Sequence, residues 1–200
     1  TRVRSSAASD VYKRQSSGMG AISATLMALL NQGDHMVASA DIYGGTYGLL
    51  TEEFPRFGIS TTMADMRDPA SYEAAIQDNT KLLYIETLTN PVLKVCDIEA
   101  MADVAKRHNL LLLIDNTFAS PWGCKPLDMG VDLVLHSTTK YLGGHSDILG
   151  GAVVGSKDLI AQIFMRKVHF GAAPDPHSCY LLERGMRTLD VRMPRICDCL

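Results

Sequence analysis

Apolar and polar positions along this chain keep two rhythms. Short, dense apolar runs recur at residues 35–40, 59–63, 81–86, 110–114, 131–135 and 151–155. Their length and composition suit strands covered on both faces. Between them, apolar residues fall three and four apart, as on one side of a helix. Met19, Ile22, Leu26, Leu29 and Leu30 keep that spacing, with Ser17 as N-cap and Gly33 as a natural stop. Residues 46–57 read as a helix ended at Gly58, with Pro55 marking its end. Asp68-Pro69 supplies an N-cap and first-turn proline for a helix reaching about residue 77. Asp97 caps a helix that puts Ile98, Met101, Val104 and Ala105 on one face. Residues 157–170 and 176–186 read as two further helices. Strands alternating with helices predict an α/β fold, a mostly parallel sheet with helices on both faces.

The two ends break the rhythm. Residues 1–15 hold four basic residues (Arg2, Arg4, Lys13, Arg14), one acid (Asp10) and no apolar periodicity. They read as a foreign or disordered flank, with an organelle transit sequence as the alternative. Residues 194–200 also change character abruptly and read as a foreign or truncated end. The folded unit is therefore expected over residues 16–193.

Composition narrows the function classes. A net charge of −3 gives no footprint for nucleic acid. No apolar run reaches the length of a membrane span. The five cysteines are scattered and odd in number, which fits idle thiols in a reducing cytosol better than a disulfide framework or a zinc site.

Chemistry collects just past the strands. Polar residues follow three of them, at 86–90, 115–117 and 137–140, and right-handed crossovers bring all three to one sheet edge, where open α/β sheets place ligands. Asp115 ends the most hydrophobic strand, where a carboxylate is costly without a cationic partner. A protonated pyridine nitrogen is such a partner, and a ring kept protonated is an electron sink. Lys140 follows 25 positions later on another strand. Partly desolvated, its amine would be a nucleophile able to hold an aldehyde as a Schiff base. Ser137, Thr139 and the amides of Gly18 and Met19 could surround a phosphate at a helix start. Tyr43 could stack on a ring. Together these are the parts a pyridoxal 5'-phosphate site needs. Taken singly, each has a plainer reading: a turn cap for Asp115, loop hydroxyls for Ser137 and Thr139, a surface amine for Lys140, a tyrosine over a turn for Tyr43.

Five segments, 16–19, 41–46, 86–91, 115–118 and 137–147, resemble in order those of the Cys/Met-metabolism enzymes dependent on pyridoxal phosphate. The resemblance runs from about residue 16 to 193. It implies the large domain of the aspartate-aminotransferase-like fold (fold type I of the PLP-dependent transferases) and a homotetramer built from active homodimers. It also implies small amino-acid substrates, a cytoplasmic setting, and no membrane or nucleic-acid partner. Lys140 would be the Schiff-base lysine and proton shuttle, and Asp115 would face the pyridine nitrogen. Tyr43 would stack on the cofactor and assist proton transfer. Gly18, Met19, Ser137 and Thr139 would bind phosphate. Asn90 would lie near the phenolic oxygen, with Thr117 and Glu86 as support.

Family chains are about twice as long, so the resemblance covers a central cofactor-binding domain without the N-terminal arm or the C-terminal domain. It implies γ-replacement or γ-elimination on cystathionine or homoserine-ester amino acids, of cystathionine γ-synthase or γ-lyase type. O-acetylhomoserine sulfhydrylase and methionine γ-lyase are the alternatives within the family. Methionine γ-lyases commonly carry a cysteine where this chain has Gly45. Outside the family, Ser137-x-x-Lys140 also matches a serine-acylase pattern, though its companion elements are missing. A non-catalytic scaffold is the third reading.

Overall fold

The computed structural model describes residues 10–199. Among these residues seven strands form one sheet: β1 Asp10–Gln15, β2 His35–Ser39, β3 Ser60–Ala64, β4 Thr80–Glu86, β5 Leu111–Asp115, β6 Leu133–Ser137 and β7 Gly151–Ser156. The helices are α1 Gly18–Leu29, α2 Gly44–Gly48, α3 Pro69–Ala74, α4 Ile98–Arg107, α5 Ser120–Gly123, α6 Lys157–Phe170, α7 Pro176–Met186 and α8 Leu189–Cys197. The strand order is β1-β7-β6-β5-β4-β2-β3. β2 to β6 run parallel, and β7 and β1 are added antiparallel at one side.

Alternation along the parallel strands makes two cores. On one face Met36, Ala38, Leu82, Tyr84, Leu113, Leu133 and Leu135 pack under Ile22 and Leu26 of α1 and Ile160 and Ile163 of α6. On the other, Val37, Leu83, Ile85, Leu112, Ile114 and Val134 pack under Tyr72 of α3 and Met101 and Val104 of α4. Burying each Val, Leu, Ile or Met side chain of these sets contributes about 1.5–3 kcal/mol. The mostly parallel sheet with helices on both faces is as the apolar pattern requires.

The caps fall where expected. Ser17 accepts from the Gly20 amide, Asp68 from Ala70 and Asp97 from Ala100. The stretch after α2 is less regular than one helix: a π turn over Leu49–Glu53 gives way to a 3₁₀ turn over Phe54–Phe57. Pro55 sits in that last turn, and Gly58 closes it at φ 71°. α1 stops at Leu29, ahead of Gly33, where Asp34 accepts the Asn31 amide. α3 stops at Ala74, short of residue 77, where the Thr80 hydroxyl accepts the Gln77 amide.

Both ends of the folded unit move outward from residues 16 and 193. β1 lies within the stretch read as a flank, but its backbone pairs with β7 from Asp10↔Ser156 to Gln15↔Gly151. A sheet-edge strand is held by ladder hydrogen bonds, so no apolar pattern was needed to mark it. Residues 1–9 of that stretch lie outside the described residues. α8 runs through Pro194 to Cys197, anchored by the buried Met193. The proline, three residues before the helix ends, does not interrupt it.

Candidate active site

Because β2, β4, β5 and β6 are parallel, the segments that follow them leave at one edge of the sheet. A cavity of about 250 Å³ opens there. All ten residues singled out from the sequence line it: Gly18, Met19, Tyr43, Glu86, Asn90, Asp115, Thr117, Ser137, Thr139 and Lys140. Ser17, Ile22, Leu88, Phe118 and Leu149 complete the wall. A wider cleft of about 1240 Å³ adjoins it and shares Phe118, Thr139, Lys140 and Leu149.

Asp115 is the last residue of β5, in register with Glu86 of β4 and Leu135 of β6. Its Oδ1 accepts from the Thr117 amide at 2.9 Å and the Thr117 hydroxyl at 2.5 Å. The same hydroxyl oxygen accepts the Ser137 amide at 2.8 Å. Thr117 thus aims the carboxylate and ties β5 to β6. Burial pushes the Asp115 carboxyl above its ordinary range, against the pull of Thr117. Among the described residues no Lys, Arg or His lies within salt-bridge reach of it. A carboxylate so placed fits a cation brought in from outside.

The first turn of α1 forms the opposite wall. Among the described residues the amides of Gly18 and Met19 have no acceptor, as expected of a helix start. A Cβ on Gly18 would lie 2.9 Å from both Cβ and Oγ of Ser137. The glycine is therefore needed for the close approach of β6 as much as for a ligand. Two free amides, the positive end of α1 and the Ser137 hydroxyl fit a phosphate. Thr139 contributes differently. Its hydroxyl donates to Gly150 O at 3.3 Å and accepts the Gly150 amide at 3.0 Å, so it clasps the loop before β7.

Tyr43 lies over Gly45 and is 45% exposed. A Cβ on Gly45 would come within 2.6 Å of the ring's Cε1 and 3.2 Å of Met19 Sδ. Any larger residue there would move the ring. The Tyr43 amide donates to Glu86 Oε1 at 2.9 Å, and the Asn90 amide donates to Glu86 Oε2 at 3.3 Å. Asn90 lines the cavity from a loop that Lys94 fastens to Asp41 by an ion pair.

Lys140 sits in the turn after β6, its amide donating to Ser137 O at 3.1 Å, and is exposed. The turn carries it to the boundary between cavity and cleft.

The polar frame behind the cavity was not anticipated. Asn116, fully buried, accepts from the Thr87 hydroxyl at 2.7 Å and donates to Ser120 O at 3.2 Å and Cys124 O at 3.0 Å. Its amide donates to Leu135 O at 2.9 Å. Strand parity held the clue: Asn116 points away from Asp115 and Thr117, so it had to be a buried amide in need of partners. Arg192 of α8 donates to Tyr141 O and Gly185 O, both at 2.9 Å, and pins the loop past Lys140. It lies in the stretch beyond the apolar pattern, and no signal in the sequence marked it.

The family model described as "Cys/Met metabolism PLP-dependent enzyme" matches residues 7–198. A cystathionine γ-lyase of Bacillus subtilis is 49% identical over 182 residues, covering 90% of this chain and 48% of the relative. A probable cystathionine γ-synthase of Herpetosiphon aurantiacus is 47% identical over 178 residues, covering 88% and 56%. The crystal structure of cystathionine γ-lyase from Lactobacillus plantarum, complexed with L-serine, superposes with a TM-score of 0.86 at 46% identity, covering 90% of this chain and 47% of that one. The chain spans about half the length of the curated relatives it matches.

Proposed function

The chain belongs to the Cys/Met-metabolism family of pyridoxal-phosphate-dependent enzymes, and from that premise we propose that it is the cofactor-holding part of a trans-sulfuration enzyme. The full-length protein would carry out γ-replacement or γ-elimination on cystathionine or homoserine-ester amino acids, as a cytoplasmic homotetramer built from dimers. Relatives named cystathionine γ-synthase and γ-lyase support that range. Gly45, where methionine γ-lyases commonly carry a cysteine, weighs mildly against that alternative.

One observation carries the reading: Lys140 and Asp115 line the same cavity of about 250 Å³ after neighbouring parallel strands, and among the described residues Asp115 has no cation partner. When bound, pyridoxal phosphate supplies an aldehyde carbon for an amine and a ring that withdraws electrons from the substrate's α carbon. The residues divide the remaining work. Gly18, Met19 and Ser137 would hold the phosphate, and Tyr43 would cover the ring. Asp115, aimed by Thr117, would keep the ring nitrogen protonated. Asn90 would attend the phenolic oxygen. Lys140, at the edge of the wide cleft, would hold the aldehyde and, once the substrate's amino group replaces it there and frees its amine, would accept and return the substrate's Cα proton at Nζ. Thr139 holds the loop that carries it.

Lys140→Ala in the full-length protein tests this. Borohydride should trap a cofactor adduct on Lys140 of the wild type and none on the variant, by peptide mass spectrometry. Turnover should fall on the order of 10²–10⁴-fold or more. A variant that kept turnover, or an adduct on another lysine, would overturn the assignment.

A further inference from the structure

Glu86 is only 4% exposed, yet no cation touches it among the described residues. Its two carboxylate oxygens instead hold two backbone amides on different loops. Oε1 accepts Tyr43 from the loop after β2, and Oε2 accepts Asn90 from the loop after β4. Each of those residues also lines the cavity. Buried charges ordinarily persist only where partners compensate them. Two neutral N–H donors compensate this one in part, so its retention at the sheet edge calls for a role.

We propose that Glu86 is a positioning residue whose ionised carboxylate clamps the Tyr43 and Asn90 loops together, fixing the cavity's geometry and releasing it on protonation. The clamp needs both oxygens as acceptors. A protonated carboxyl turns one oxygen into an O–H donor, and that oxygen is a much weaker acceptor for the amide facing it than a carboxylate oxygen is. Tyr43 then loses the contact that sets its ring over Gly45, or Asn90 loses the contact that sets its side chain.

The surroundings tune this equilibrium. Asp115 faces Glu86 from β5 as a like charge, and the hydroxyls of Tyr84 and Tyr72 lie close enough to feel it. Burial, the largest cause, and Asp115 raise the carboxyl, while the Tyr43 and Asn90 amides lower it; the result is about 7. The clamp should therefore open and close near neutral pH.

This inference rests on the proposed function for its consequence, but the clamp can be read without cofactor. Amide hydrogen exchange on the cofactor-free full-length protein reports Tyr43 and Asn90 directly. Protection factors at one or both should fall about tenfold between pH 8.5 and pH 5.5. In Glu86→Gln, whose amide group offers one acceptor, protection at one of the two should be low at both pH values. In the loaded enzyme, Glu86→Gln should lose about tenfold in kcat/KM at pH 8.5, and its acid limb near pH 7 should vanish. Glu86→Asp should keep the limb. Pyridoxal phosphate failing to bind would sink the proposed function and leave the exchange result standing. Protection that is independent of pH in the wild type overturns the clamp, even if Glu86→Gln does not fold. So does a Glu86→Gln enzyme that keeps the acid limb.

Discussion

The two ends of the sheet bury polar groups to different purposes. At the N-terminal ends of the strands, His35 is buried with Nδ1 2.7 Å from Thr80 Oγ1 and Nε2 2.9 Å from Thr62 Oγ1. Gln77 reaches the same ring, and Asn79 donates to Gly33 O at 2.8 Å. Every member is neutral or held in its neutral form, since burial lowers the His35 pKa. At the C-terminal ends, Glu86 and Asp115 are raised carboxyls that meet no cation among the described residues, beside two amides of α1 that meet no acceptor there. The His35 cluster at the first end is complete in itself. The second is complete only with a ligand, which distinguishes a structural polar cluster from a site.

The largest expected break in this contrast is Asp115→Asn. Asparagine keeps an oxygen for Thr117 but removes the charge. Activity of the full-length enzyme should drop on the order of 10²-fold or more, the scale for losing a group that controls protonation at the reacting centre. The cofactor-free protein should be as stable as the wild type or melt a few degrees higher, because a costly buried charge is gone. Thermal melts and steady-state kinetics check both halves. A variant that lost stability without losing activity would place Asp115 with the structural cluster.

The sheet edge that carries the site was legible in advance because parallel strands buried on both faces leave so few choices. Dense apolar runs at 81–86, 110–114 and 131–135 mark the strands, and the polar residues after each must share an edge. Asp115 and Lys140 stood out because charge follows directly on buried strands. The parts held by backbone were harder to read. β1 is paired through its ladder to β7, and the Glu86 clamp grips amides, which every residue has. Asn116 grips carbonyls four and eight residues further on, and Arg192 one 51 positions back; both are backbone acceptors, so the partners become visible only once the chain is folded.

At the other end, His35→Ala should cost stability and leave the site alone. Removing the ring leaves Thr80 and Thr62 hydroxyls short of a partner and opens a gap. The expected loss is roughly 2–4 kcal/mol, measured by urea denaturation of the full-length protein. Cofactor bound per folded molecule and kcat should be unchanged. If kcat fell in step with stability, the two ends would be coupled through the strands and the contrast between them would fail.

The subtlest expected effect lies in the pH dependence of stability, where buried acids and buried histidines oppose each other. Glu86 moves from 4.5 to about 7 on folding. Between those values the folded protein holds the extra proton, so this group lowers stability as pH rises. His136, buried on β6, moves from 6.5 to about 4. There the unfolded chain holds the extra proton, so this group raises stability as pH rises. Across pH 4.5–6.5 each contributes roughly 2 kcal/mol, with opposite sign. His35 adds to the second slope, and Asp115 and Asp132 add to the first. The wild-type urea midpoint should therefore change little over that window. Glu86→Gln should leave a midpoint that climbs with pH, and His136→Gln one that declines. Two single variants with the wild-type profile would mean that neither group changes its proton occupancy on folding, and the charge imbalance assigned to the ligand end would lose its thermodynamic support.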